Sequence, residues 1–265
     1  MASKSVRDGV TTQFRSVTNA TLPDAQRILK KVNYKLEHAI EMFYGDQQAM
    51  RNANKGDSGQ ESQIRSKLEK IFDRYANPAD KTRTNIDGTL AFCADLEVDP
   101  EDPVVIVVAM LCKSPSMGEF TRSGFVDGWT SARKDSIEGM QAHLIQLRGR
   151  EGFGDEETFR KVYNFTFDWA KQPGQRSLQC DTAIALWSLL LPLSTAPTQF
   201  TNLHLELWTE FLNGPYKSKA ISKDSWTLFL DFWKTSRGDL SEHDLDAAWP
   251  SVIDDFVEWA RPKLP

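Results

Sequence analysis

The sequence predicts an all-α protein, a small three-helix bundle followed by a larger helical domain. Three observations carry this expectation. Apolar residues recur at three- and four-residue spacing through almost every segment. Prolines and short polar residues stand at the edges of those segments, where helices start and stop. No pair of alternating runs joined by a tight turn stands out. The chain has 265 residues, 40% hydrophobic and 26% charged, enough for one large domain and one small one.

Residues 9–45 hold three short stripes: Val10, Phe14, Val17; Leu22, Ala25, Ile28, Leu29; and Leu36, Ala39, Ile40, Phe43. Thr18 to Thr21 reads as the first turn, and Pro23 suits the first turn of the second helix. Asn33 is expected to cap the third. Residues 46–62 are rich in Gln, Asn, Gly, Asp and Ser and lack apolar periodicity, so they read as a flexible linker and domain boundary. Residues 63–265 form the second domain. Ile64, Leu68, Ile71, Phe72 and Tyr75 mark one helix. Asp99-Pro100-Glu101-Asp102 reads as a helix start leading into the apolar run Val104–Cys112. That run is β-branched enough for a strand, but its start signal and helical neighbours favour a buried helix. Stripes at Phe159–Ala170, at Ala183–Leu191 before Pro192, at Phe200–Leu212 and at Trp226–Phe232 complete the helices.

Composition excludes several classes. Net charge is −5, with nine Lys/Arg against six Asp/Glu in residues 1–60, so the larger domain is acidic and of the wrong sign for nucleic acid. Met1 to Asp8 contain no apolar signal core. The apolar run of nine residues is too short to span a bilayer. Cys93, Cys112 and Cys180 are odd in number and widely spaced, which argues against a disulfide scaffold and for a reducing compartment. Cys93 and Cys112 lie in apolar surroundings that keep thiols protonated and inert. His38, His143, His204 and His243 show no metal-ligand spacing.

Two segments, Phe72–Phe92 and Phe165–Trp187, have the outline of a calcium hand. A calcium loop needs oxygen ligands at alternate positions and a glutamate at the end. The corresponding residues are Ala79, Lys81, Arg83 and Leu90 in one, and Lys171, Pro173, Gln175 and Thr182 in the other. Neither set can hold a divalent cation, so the hands are degenerate and no metal or cofactor is expected.

Two surfaces invite a binding role. Between Gly238 and Ala260 there are seven Asp or Glu and no Lys or Arg, interleaved with Trp249, Phe256 and Trp259. Acids on a solvated face are common, but a one-signed face also suits a basic partner. The run Val104–Cys112, with Phe120, Phe165, Trp169, Leu186 and Leu189, either fills the core or lines a pocket.

Particular motifs are more specific. Lys223-Asp224-Ser225-Trp226, Ala247-Ala248-Trp249-Pro250 and Ile253-Asp254-Asp255-Phe256, with Ala260-Arg261-Pro262, resemble the defective-in-cullin-neddylation family. So do Asn85-Ile86-Asp87-Gly88, Phe92-Cys93, Asp99-Pro100, Tyr163-Asn164-Phe165-Thr166-Phe167, Pro173-Gly174-Gln175 and Ala183-Ile184-Ala185-Leu186-Trp187. The resemblance covers almost the whole chain, with residues 9–45 standing where that family carries a ubiquitin-associated (UBA) domain.

The resemblance implies a UBA-like bundle and a potentiating-neddylation domain of two degenerate hand-like units and C-terminal helices. It implies a non-covalent co-ligase in the nucleus and cytoplasm. Such a scaffold brings an N-acetylated conjugating enzyme of the neddylation pathway to a cullin and its RING subunit, and needs no nucleophile of its own. By residue, Asp224, Ala248 and Asp254 would dock the cullin's C-terminal winged-helix region. Val105, Ile106, Val108, Ala109, Cys112, Phe120, Trp169, Leu186 and Leu189 would line the pocket for the acetylated methionine. Residues 9–45 would offer a site for ubiquitin, and a ubiquitin-binding adaptor is the alternative function. A calcium-sensor relative, a third possibility, fails on the ligands above. Thr89, Cys112, Gly118 and Trp169 depart from the family pattern, which has a larger aliphatic, a phenylalanine, a cysteine and a phenylalanine there.

Overall fold

A computed structural model describes residues 4–148, 153, 155–194, 196–216 and 220–264. It divides into two units, Met1–Lys67 and Leu68–Pro265.

In the first unit, α1 (Lys4–Thr18), α2 (Leu22–Lys31) and α3 (Leu36–Gly45) enclose Phe14, Ile28, Leu29 and Phe43. Phe14 and Phe43 meet edge to face at 5.9 Å. Thr21 caps α2 by accepting the Asp24 backbone N–H, and Pro23 occupies the first turn as expected. Asn33 does not cap α3. It sits in the left-handed region at φ 52°, a conformation asparagine tolerates, and the helix begins after Lys35 without a side-chain cap.

The segment expected to be a linker is helical. α4 runs from Gln47 to Asp73 and carries the chain across the boundary between the units. Its Gln, Met, Arg, Ala, Lys and Glu residues are good helix formers, and Gly56 and Gly59 oppose them by only about 1 kcal/mol each. Packing at both ends supplies the rest. Ala49 and Ala53 enter the core of the first unit, so the bundle has a fourth member, and Leu68 and Phe72 are buried in the second unit. The Asp46 carboxylate accepts the Gln48 and Ala49 N–H groups at the helix start.

Among the described residues, the regular structure of the second unit is helical apart from two short sheets. Its elements are β1 (Ala76–Asn77), β2 (Asp80–Thr84), α5 (Ile86–Asp95), α6 (Val104–Leu111), α7 (Arg122–Ser131) and α8 (Ile137–Arg148). Then come α9 (Glu156–Ala170), β3 (Leu178–Gln179), α10 (Cys180–Leu190), α11 (Asn202–Asn213), β4 (Ala220–Ile221), α12 (Lys223–Thr235) and α13 (Ser251–Ala260). Both expected hands are helix–loop–helix units, and each loop pairs with a second such unit. Arg83 of β2 bridges Thr121 just before α7, and β3 pairs antiparallel with β4 just before α12. β1, β3 and β4 are two residues each, too short to show period-two alternation, and the five residues of β2 (Asp80–Thr84) are all polar, so the sequence did not signal them.

Asn85 caps α5 through the Gly88 N–H, and a Cβ at Gly88 would lie 2.0 Å from the Tyr75 carbonyl oxygen. Both ends of the Asn85–Gly88 motif therefore have a structural reason. The start at Asp99 is different: α6 begins five residues later, at Val104. Pro103 disfavours helical geometry at Asp102, whose carboxylate instead accepts the Val104 N–H at 2.9 Å.

Asp24 ties α2 to α4. Its side chain, 11% exposed, accepts from Asn52 at 2.9 Å, Thr21 at 2.8 Å and Arg27 at 3.0 Å. The Asn52 hydrogen bond, then Arg27 and Thr21, hold its pKa below the ordinary value against the opposing effect of burial. A depressed carboxylate pKa stabilises the fold above the unfolded pKa, and that contribution disappears as pH falls through the folded one. Asp24→Asn should therefore lower the stability of the first unit near neutrality by about 1–3 kcal/mol. Residue-resolved NMR during urea unfolding should show the gap between variant and parent closing in acid.

Candidate functional site

An apolar cleft of about 180 Å³ opens between α5, the start of α6, the loop Lys113–Phe120 and the end of α9. Ile86, Leu90, Val105, Met117, Phe120 and Trp169 supply its main apolar surface. At its edge three large apolar side chains face solvent: Ile86 is 67% exposed, Leu90 46% and Met117 53%. Exposed apolar residues are ordinary when scattered, but here they gather around one opening.

The polar side chains around the cleft are already engaged. Trp169 Nε1 donates to Ser114 Oγ at 2.9 Å, and that hydroxyl reaches the carbonyls of Glu119 and Ser116 at 2.6 and 2.9 Å. Thr89 Oγ1 donates to the Gly118 carbonyl at 2.9 Å. Glu119 is paired with Arg83 at 2.9 Å. Cys93 is neutral, its thiol pKa raised by burial and by the charge of Asp99. The cleft thus offers apolar surface and no uncommitted charged side chain.

Of the residues expected in this pocket, Val105, Phe120 and Trp169 line the cleft. Ile106, Val108 and Ala109, buried on the other sides of α6, and Cys112, buried just after it, do not. A helix apolar all round must turn most of its surface into the core. Cys112 is fully buried, which pushes its thiol pKa up. Leu186 is buried and Leu189 half-buried on α10, and neither lines the cleft. Sequence reading missed Ile86, Leu90 and Met117. Ile86 and Leu90 did carry a signal: they are four apart on α5, off the buried stripe of Thr89, Phe92 and Cys93.

Three of the four departures from the family pattern meet at the cleft rim. Thr89 and Trp169 both bond to the Lys113–Phe120 loop, and Gly118 stands in it at φ 76°. A cysteine there would be strained.

The acidic segment forms a second surface. Asp224 is exposed in the first turn of α12, Ala248 is exposed in the loop before α13, and Asp254 lies in the first turn of α13. Carboxylates in these first turns also favour the helix dipoles. Arg237, one residue outside the acidic run, pairs with Glu242 at 2.9 Å and Asp239 at 3.6 Å. The uncompensated charge is therefore smaller than the sequence count. Among the described residues, Asp224, Asp244, Asp246, Asp255 and Glu258 make no ion pair.

The loop is pinned from three neighbouring segments. His204 of α11 bonds the Gly238 carbonyl at 2.7 Å, and Gln199 accepts the Gly238 N–H at 3.2 Å. Arg261 donates to the Leu240 carbonyl at 2.7 Å. His243, its side chain 2% exposed, bonds Asp254 Oδ1 at 2.8 Å and packs on Phe232 and Trp249. His204 and His243 thus each hold a hydrogen bond that fixes the loop.

The two surfaces are linked inside this unit. Asp168, next to Trp169 on α9, pairs with Lys223, next to Asp224 on α12. The Lys223 hydrogen bond, then the one from Lys171, depresses the Asp168 pKa. Beneath that pair, Tyr163 of α9 stacks on Trp226 of α12 at 4.5 Å, and Trp226 stacks on Trp187 of α10 at 5.0 Å.

Among the described residues, no group of three His, Cys, Asp or Glu could hold a metal ion, and no helix is long and apolar enough to cross a membrane.

Comparison with known proteins gives two domain matches. Residues 139–259 match the Cullin binding family and residues 12–49 a UBA-like domain. Whole-chain similarity extends further. The chain is 36% identical to "Defective in cullin neddylation protein 1" of Mycosarcoma maydis, over 100% of this chain and 98% of that protein. It is 37% identical to the protein of the same name from Cryptococcus neoformans var. neoformans serotype D, over 94% and 92%. Human "DCN1-like protein 3" is 36% identical over 77% of this chain and 67% of its own length.

Proposed function

The chain belongs to the defective in cullin neddylation family, and on that premise we propose that it serves cullin neddylation as a non-covalent scaffold. It holds an N-acetylated conjugating enzyme in the apolar cleft while the acidic face of Asp224, Ala248 and Asp254 docks the cullin's C-terminal winged-helix region beside the RING subunit. One observation carries the proposal: an apolar cleft with its polar side chains paired and a pinned acidic face lie on the same unit.

The chemistry needed is positioning. Bringing two bound partners together raises their effective concentration and fixes their orientation, which lowers the entropic barrier to transfer. No acid, base or nucleophile is required from the scaffold. The cysteines suit this role, since burial raises the thiol pKa of both Cys93 and Cys112.

The cleft favours a neutral guest. Acetylation removes the charge of an N-terminal amine, so the amide and its methionine side chain enter apolar surroundings without stranding an ammonium. The acidic face favours a basic partner and suits rapid, salt-sensitive association. The N-terminal unit adds a ubiquitin site in this proposal, supported by its UBA-like match and by the exposed apolar Leu22, Met42 and Tyr44. Three widely spaced cysteines fit the reducing nucleus and cytoplasm.

Charge reversal tests the docking face. Asp224→Lys and Asp254→Lys should each weaken cullin binding at least about thirtyfold, the effect of losing about 2 kcal/mol or more from a charge pair at an interface. Circular dichroism should show the helices intact: Asp224→Lys reverses a first-turn charge at a cost of only about 0.3–1 kcal/mol, and Asp254→Lys also gives up the His243 hydrogen bond, about 1–3 kcal/mol more, so Asp224→Lys carries the cleaner test. Unchanged affinity in both folded variants would remove the docking assignment.

Calorimetry with two peptides tests the cleft. A conjugating-enzyme N-terminal peptide that begins with acetyl-methionine should bind at least about thirtyfold more tightly than the same peptide with a free amine, since the ammonium loses about 2 kcal/mol or more on entry. Equal affinities would mean that the cleft does not read the acetyl group.

A further inference from the structure

The loop Lys113–Phe120 is held against the cleft by hydrogen bonds whose direction the geometry determines. The Phe120 N–H donates to Thr84 Oγ1 at 2.9 Å. Thr89 Oγ1 donates to the Gly118 carbonyl at 2.9 Å, so it accepts from Thr84 Oγ1, 2.8 Å away. One chain of hydrogen bonds therefore runs from the loop through β2 and α5 and back to the loop. Thr84 and Thr89 are buried. Such a chain is cooperative and expensive to break.

A second clamp comes from α9. Trp169 Nε1 donates to Ser114 Oγ at 2.9 Å, and the Trp169 carbonyl accepts the Met117 N–H at 3.2 Å. Trp169 thus grips the loop at two points. Between the clamps stand Met117 and Gly118, whose neighbours across the cleft are Ile86 and Leu90. The loop is the wall that no helix stiffens, and its Met117 is exposed.

We propose that Thr89 and Trp169 are positioning residues that fix the rim loop and so set the width of the cleft and the size of the first side chain it accepts. The inference rests on the reading of the cleft as the seat of an acetylated N-terminal residue, and deepens it. A clamped rim admits a methionine and rejects a larger ring. A released rim yields to both, and holds the methionine less tightly because the loop must then be ordered on binding.

The test uses the full-length protein, Thr89→Val, Trp169→Phe and Ser114→Ala, and two acetylated peptides that differ only in starting with methionine or tryptophan. Thr89→Val keeps the shape and removes the hydroxyl; Trp169→Phe removes the N–H but also thins the cleft wall, so Ser114→Ala, which leaves the Trp169 ring in place, separates the clamp from the wall. Ser114→Ala breaks the Trp169 bond from the other side, so that one misfolded variant leaves the question answerable. The parent should prefer acetyl-methionine at least tenfold. Each variant should bind it three- to thirtyfold more weakly and with the preference reduced to threefold or less. Hydrogen exchange of the Met117 and Phe120 amides should quicken while α12 and α13 keep their protection. Trp169→Phe and Ser114→Ala combined should do no more than Trp169→Phe alone. A weaker affinity with an unchanged preference would make these residues merely structural and overturn the proposal. Failure of the parent to bind either peptide would instead remove the cleft reading itself, and this inference with it.

Discussion

The arrangement of both surfaces depends on a buried knot of three rings. Tyr163, Trp226 and Trp187 come from α9, α12 and α10 and stack one on the next. Their polar edges satisfy one another: Trp187 Nε1 donates to the Tyr163 hydroxyl at 2.7 Å, that hydroxyl to the Trp226 carbonyl at 2.8 Å, and Trp226 Nε1 to the Tyr163 carbonyl at 3.0 Å. These three rings are therefore buried with no unpaired polar edge. Burial raises the Tyr163 pKa well above its ordinary value, which keeps the phenol protonated as a donor. Trp208, Phe229 and Phe256 extend the packing to α11 and α13.

The knot matters because both surfaces lie close to it along the chain. Six residues after Tyr163 comes Trp169, a wall of the cleft; two residues before Trp226 comes Asp224, on the acidic face. About two turns of helix separate the first pair and less than one the second. The exposed Asp168–Lys223 pair joins the same two ends, but a surface pair adds little stability. The stacked rings are what hold the ends in register. On the proposed function, a scaffold that accelerates transfer by orientation needs its two docking surfaces at a constant spacing, and core packing would set that spacing. The acidic loop is likewise fixed before any partner arrives, by His204, Arg261 and the His243–Asp254 bond, so binding does not have to order it.

Much of this was legible in the sequence. The apolar stripes at Phe159–Ala170 and Ala183–Leu191 located α9 and α10, and the two degenerate hands appear as helix–loop–helix units. What failed did so for identifiable reasons. Residues 46–62 lack an apolar stripe, yet α4 runs through them because Ala49, Ala53, Leu68 and Phe72 anchor its two ends in separate cores. Alanines spaced this way are too small to register as a stripe. The acid count from Gly238 onward missed Arg237, which stands one residue outside and reaches back in. The roles of His204 and Arg261 depend on contacts across 34 and 21 residues, which local pattern cannot see.

The cleft shows most clearly where sequence reading ends. α6 is apolar on all sides, so periodicity cannot say which residues face the core and which a cavity. Only Val105 of the expected α6 residues reaches the cleft. What opens the cavity is the loop after α6, which leaves the helix through Lys113 at φ 48° and turns again at Gly118, φ 76°. That path is held by Thr84, Thr89, Ser114 and Trp169, whose polar atoms turn toward the loop and one another. The bonds that shape the rim thereby remove free donors and acceptors from the cavity. An apolar, uncharged cleft is a consequence of how the loop is folded, and on the proposed function it is also what distinguishes an acetylated terminus from a free one.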